Sequence, residues 1–84
     1  MNLVKKYRKF YAHKTQTELA DEFAENGLQK HTFNGVQAFT QSDISRIEKG
    51  AITPDFMLCE YIAKKLNVSP EDVLNSTRQA QRPA

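Results

Sequence analysis

Between Thr40 and Gly50 the chain reads Thr-Gln-Ser-Asp-Ile-Ser-Arg-Ile-Glu-Lys-Gly. At helical spacing Ile44 and Ile47 share one stripe, which leaves Gln41, Ser42, Ser45, Arg46 and Lys49 clustered on the opposite side. None of these five is acidic. They are the side chains that read the edges of base pairs in a DNA major groove. Arginine forks onto guanine O6 and N7, glutamine onto adenine N6 and N7, and short serines allow close approach. Standing alone, the same stretch reads more readily as an ordinary solvated helix face.

Few other residues offer chemistry. His13, His31 and the single Cys59 have no metal-ligand spacing, so no metal and no cofactor is expected. Cys59 falls on an apolar stripe, where cysteine behaves as a small hydrophobe. No glycine-rich phosphate loop, nucleophile motif or constrained carboxylate pair is visible, and the chain is not expected to be an enzyme. Its 84 residues allow one small domain with a thin core. The lone cysteine, the absence of an apolar leader and the absence of a membrane-length apolar run point to a cytoplasmic protein without a membrane partner.

The elements that must position the Thr40–Gly50 face are set by periodicity and capping. Leu3, Val4, Tyr7, Phe10 and Tyr11 form the stripe of a first helix. Thr15-Gln16-Thr17-Glu18 is a capping box that opens a second, with Leu19, Ala20, Phe23 and Ala24 inward and its four acids outward, stopped by Asn26-Gly27. Thr40 and Asp43 open the third helix in the same way, and Gly50 closes it. Thr53-Pro54 opens a fourth, whose buried stripe is Phe56, Cys59, Ile62, Ala63 and Leu66. Ser69-Pro70-Glu71-Asp72 opens a short fifth, and residues 76–84 read as a polar tail.

The segment from Leu28 to Phe39 is less determined. Asn34-Gly35 suits a two-residue hairpin turn, but the flanks are short, so an ordered hairpin and a loose loop both remain open. The net charge of +2 says little by itself. Its distribution says more. Residues 1–14 carry Lys5, Lys6, Arg8, Lys9 and Lys14 with no acid, whereas residues 15–28 carry Glu18, Asp21, Glu22 and Glu25 with no base. A concentrated basic patch is the footprint that phosphate binding requires.

Taken together, Thr15-Gln16-Thr17-Glu18-Leu19-Ala20, the Thr40–Gly50 run, Thr53-Pro54 and Ala63-Lys64-Lys65-Leu66-Asn67-Val68 resemble the lambda-repressor/Cro-type (XRE) helix-turn-helix family over residues 3–75. The resemblance implies an all-α, compact five-helix DNA-binding domain over residues 1–75, in which helix two crosses the DNA backbone and helix three reads bases. It implies a sequence-specific transcriptional regulator, a dimeric repressor or controller. Its partner would be a double-stranded, palindromic operator bound by a homodimer with half-sites about 10 bp apart. The alternatives are an antitoxin or adaptor that captures a protein on the same fold, or the DNA-binding piece of a longer repressor.

Carried onto this chain, Gln41, Ser42, Ser45 and Arg46 would face bases. Lys14, Thr15, Gln16, Lys30, His31 and Lys49 would meet phosphates, with Gln16 also supporting a side chain of the reading helix. Glu48 would pair with Arg8. Apolar residues at Met57, Leu58, Tyr61, Val73 and Leu74 would supply a dimer interface.

Two departures from the family stand out. Between Phe23 and Phe39 the chain carries about fourteen residues more than the family's short turn, an insertion centred on residues 27–39, and the step from Arg8 to Gln16 is one residue longer than usual. Lys30, His31 and Thr32 could then form a wing on the neighbouring backbone. Alternatively helix two is longer and Phe33, Val36 and Phe39 pack as a side core.

Overall fold

Both capping boxes form. Thr15 Oγ1 accepts from the Glu18 amide at 3.1 Å while the Glu18 carboxylate accepts from the Thr15 amide at 2.8 Å. Thr40 and Asp43 repeat the exchange at 3.3 and 2.9 Å. Each box satisfies two of the amides that a helix start leaves without partners. The computed structural model describes residues 2–79, and these form five helices and one hairpin. The end of the expected polar tail, residues 80–84, lies outside the described residues.

Helix α1 (Leu3–Lys6) is capped by Asn2, whose Oδ1 accepts from the Val4 and Lys5 amides. It runs directly into a π-helical segment, Tyr7–Ala12, closed by His13 at φ 53°. A π turn accommodates one residue more than an α turn. The wider turn also rotates the end of this segment off the apolar stripe. Val4 and Tyr7 are buried, but Phe10 and Tyr11 are exposed, contrary to the regular periodicity.

Helix α2 (Gln16–Glu25) ends at Asn26 and at Gly27, whose φ of +74° a side chain would strain. Leu19, Ala20 and Phe23 are buried as expected, while Ala24 is exposed. So helix two is not lengthened by the insertion. Strands β1 (Gln29–Thr32) and β2 (Gly35–Ala38) pair antiparallel, with Thr32 opposite Gly35, so the loop is Phe33-Asn34 rather than Asn34-Gly35. The shift has a local cause. Thr32 Oγ1 accepts from the Asn34 amide and donates to the Gly35 carbonyl, and Gly35 alone supplies the positive φ, +111°. No side core forms, because only Phe39 and Leu28 are buried while Phe33 and Val36 stay in solvent.

Helix α3 (Gln41–Lys49) closes on Gly50 in the left-handed region. Helix α4 (Phe56–Leu66) is capped by Asp55, so Pro54 lies before the helix and not in its first turn. Leu58 packs into the core with Cys59, Ile62 and Ala63, and Phe56, the first residue of the helix, is exposed. Helix α5 (Pro70–Gln79) is longer than expected. Thr77 is wholly buried, and Ser76 Oγ accepts from the Leu3 amide at 3.0 Å, fastening the last helix to the first. The polar tail expected after residue 75 is therefore helical through Gln79.

Phe23 sits at the centre, edge-on to Phe39 at 5.7 Å and to Tyr61 at 5.9 Å. Ile44, Ile47, Leu58, Ile62 and Val73 complete the core. No described helix is long and apolar enough to cross a membrane.

Candidate nucleic-acid interface

Helix α3 contains two acids, and the fold turns both away from its solvent face. Asp43 is 3% exposed and Glu48 9%. Asp43 accepts from Lys30 Nζ at 2.7 Å, from the Thr40 amide and hydroxyl at 2.9 Å, and from Arg46 at 3.4 Å. Glu48 is gripped by both arms of Arg8, Nε at 2.6 Å and Nη2 at 3.0 Å, the pairing that the family resemblance implied. Arg8 Nη1 also donates to the Lys14 carbonyl. The bond to Glu48 pushes the Arg8 pKa up despite its burial. What α3 shows to solvent is Gln41, Ser42, Arg46 and Lys49, with Ser45 half-buried among them.

Gln16 ties this face to the start of α2. Its Nε2 donates to Glu48 at 3.1 Å, and its Oε1 accepts from Gln41 Nε2 at 2.5 Å. Arg8, Glu48, Gln16 and Gln41 thus form one relay of hydrogen bonds from the first helix to the exposed face. A satisfied relay fixes rotamers that would otherwise be free at the surface. Thr15, the cap of α2, directly precedes Gln16 and spends its hydroxyl on the Glu18 amide.

Three of the expected phosphate binders are already engaged, Gln16 by Glu48 and Gln41 and two lysines by acids. Lys14 Nζ lies 2.5 Å from Glu22, and Lys30 is held by Asp43. Glu22 is the larger surprise, since the sequence puts it with the outward acids of α2. It is buried, and accepts from the Tyr7 and Tyr61 hydroxyls at 2.5 and 2.7 Å as well as from Lys14. Glu18, Asp21 and Glu25 do face solvent. Periodicity could not single out Glu22, because its partners come from three other parts of the chain. His31 is exposed, beside Thr53 and Asp55 of the loop after α3.

The dimer residues fare worse. Leu58 and Val73 are core, Tyr61 and Leu74 are half-buried, and only Met57 is fully exposed. Its exposed neighbour is Phe56, which the α-helical spacing puts on the buried stripe. Cys59 is buried as expected, and burial pushes its thiol pKa up.

The buried acids give the fold a pH signature. Burial alone raises the Glu22 carboxyl, but the bonds from Lys14, Tyr7 and Tyr61 outweigh it and leave the pKa below the ordinary value. For Asp43 burial is likewise outweighed, by Lys30 and Thr40. A carboxyl lowered in the folded state contributes stability above its unfolded pKa of about 4, and loses it as the pH falls further. Tyr61 moves the other way, pushed up to about 12 by burial and by its bond to Glu22. Its contribution is complete below about pH 10 and is lost as the pH rises toward 12. Urea midpoints are expected to stay level from about pH 5 to 9 and to drop on both sides, with Glu22→Gln flattening the acid limb. A wild-type midpoint unchanged between pH 5 and about 2.5 would contradict this assignment.

No protein-family model, curated protein or solved structure matches the chain.

Proposed function

We propose that the protein is a sequence-specific DNA-binding regulator on a lambda-repressor-like fold, with α3 in the major groove and the start of α2 at the adjoining backbone. The observation that carries this reading is the acid-free face of α3. A nine-residue helix with two acids presents neither, because Arg8 and Lys30 draw Glu48 and Asp43 inward. An acid on that face would repel phosphates, and with Glu48 and Asp43 both held by cations the exposed face of α3 is open to a polyanion.

In the proposed complex, Arg46 forks onto a guanine and Gln41, braced by Gln16, meets an adenine. Ser42 and Ser45 let the helix seat closely. Lys49, exposed and at the end of α3, neutralises a phosphate. Lys14 and Lys30 are better read as holding the fold. The second copy of a dimer would meet the exposed Phe56 and Met57 at the start of α4. The same apolar pair is what favours the adaptor reading, in which a different protein occupies it.

Selection from a random duplex pool at stated salt tests the proposal, with a two-fold symmetric site expected. Arg46→Ala is expected to cost about 1–3 kcal/mol at that site and to relax one base position. Lys49→Ala should weaken binding to all sequences and lower the salt slope by about one. Enrichment of no sequence, or equal losses on selected and random DNA for Arg46→Ala, would overturn base reading by α3.

A further inference from the structure

The hairpin extends well beyond what the core uses. Its feet, Leu28 and Phe39, are buried, but Phe33 at the tip is fully exposed, with a relative accessibility of 104%. A phenylalanine gains more from burial than almost any residue, so a completely solvated one at a fixed position is informative. Its position is fixed. The two-residue loop is closed by both bonds of the Thr32 hydroxyl, and β1 is pinned to the start of α3 by Lys30 on Asp43.

Charge and placement narrow what Phe33 meets. No acid occurs between Glu25 and Asp43 to repel a polyanion, and the one lysine of the strand that leads to the tip, Lys30, is held by Asp43. One edge of the α3 face is Gln41, held by Gln16 of α2. The other edge is Arg46, which reaches Asp43 where Lys30 enters from the hairpin. The start of α2 therefore meets α3 at its Gln41 edge, and the base of the hairpin meets it near its Arg46 edge. Four strand residues span about 13 Å, comparable with the roughly 12 Å width of a major groove.

We propose that the hairpin Gln29–Ala38 is a second DNA-contacting element that carries Phe33 as an apolar wedge against the minor groove bordering the segment read by α3. The inference rests on the DNA-binding reading above. Apolar side chains inserted at minor-groove steps unstack them, most cheaply at flexible pyrimidine–purine steps such as TA or CA. The hairpin thereby adds a preference for a deformable step at a position that α3 never touches.

The test uses duplexes selected by the full wild-type chain, with hydroxyl-radical footprinting and 2-aminopurine placed at the flanking step. Phe33→Ala is expected to lose about tenfold in affinity, together with the flanking minor-groove protection and the rise in 2-aminopurine fluorescence. Phe33→Leu should keep most of all three. Both variants should retain the wild-type urea midpoint, since the side chain has no place in the core, and both should retain base preference at the α3 positions. If Phe33→Ala keeps wild-type affinity and footprint, the wedge is overturned while α3 reading stands. If it keeps the footprint but shifts the monomer–dimer equilibrium, Phe33 is a protein contact and the wedge is again overturned. If wild type enriches no duplex, both proposals fall.

Discussion

Phe23→Ala is expected to lower the free energy of unfolding by about 3–5 kcal/mol. Phe23 is fully buried and makes edge contacts with Phe39 and Tyr61, so truncation removes a ring that joins the hairpin foot to α4. The two flanking aromatics are anchored elsewhere, Tyr61 through its hydroxyl on Glu22 and Phe39 by the start of α3, so the cavity cannot collapse cheaply. A domain of this length has roughly 4–12 kcal/mol in total, and the substitution consumes a large share of that. Urea titration at unchanged m-value measures it, and a loss below about 1 kcal/mol would show that the Phe23 pocket is not central to the core.

Arg8→Ala should be of similar size, about 3–5 kcal/mol, for an electrostatic reason. The guanidinium and carboxylate side chains are only 11% and 4% exposed, and Arg8 supplies two of the three hydrogen bonds to Glu48. Removing it strands a buried charge on Gln16 alone. Replacing both partners, Arg8→Leu with Glu48→Leu, should recover most of the stability, because an apolar pair carries no desolvation penalty. That double variant separates two roles. Gln16 loses the carboxylate that orients it, so Gln41 is no longer braced, and affinity for selected DNA should stay low although the fold is restored. A double variant as unstable as Arg8→Ala would contradict the stranded-charge account, and one with full stability and full affinity would contradict the relay.

Much of the local structure is legible in the residues. Thr15 with Glu18, and Thr40 with Asp43, are complete capping devices within four residues, and both form as read. Gly50 ends α3 for the same local reason. The errors fall where the cause is a longer-range or less regular geometry. Alpha-helical spacing puts Phe10 and Tyr11 inward, and a π segment carries them out. Phe56 and Leu58 exchange places, since Leu58 shares the core-facing side with Ile62 and Phe56 is left at the exposed start of α4. The Asn34-Gly35 turn yields to a Thr32 hydroxyl that bonds across a turn one residue earlier.

The sequence by itself determined the two capping boxes, the stop of α3 at Gly50, the Ile44 and Ile47 stripe and the basic and polar types opposite it, because each depends on neighbours within a turn or two of the chain. The tertiary structure decided which of those polar residues are available. Glu22, Lys14, Lys30, Asp43 and Glu48 look alike as sequence, charged residues in amphipathic or short segments. They become buried hubs or ion pairs through partners 8 to 40 positions away. A charge leaves water only where partners from several elements converge to replace its hydration, and that convergence exists only once the chain has packed.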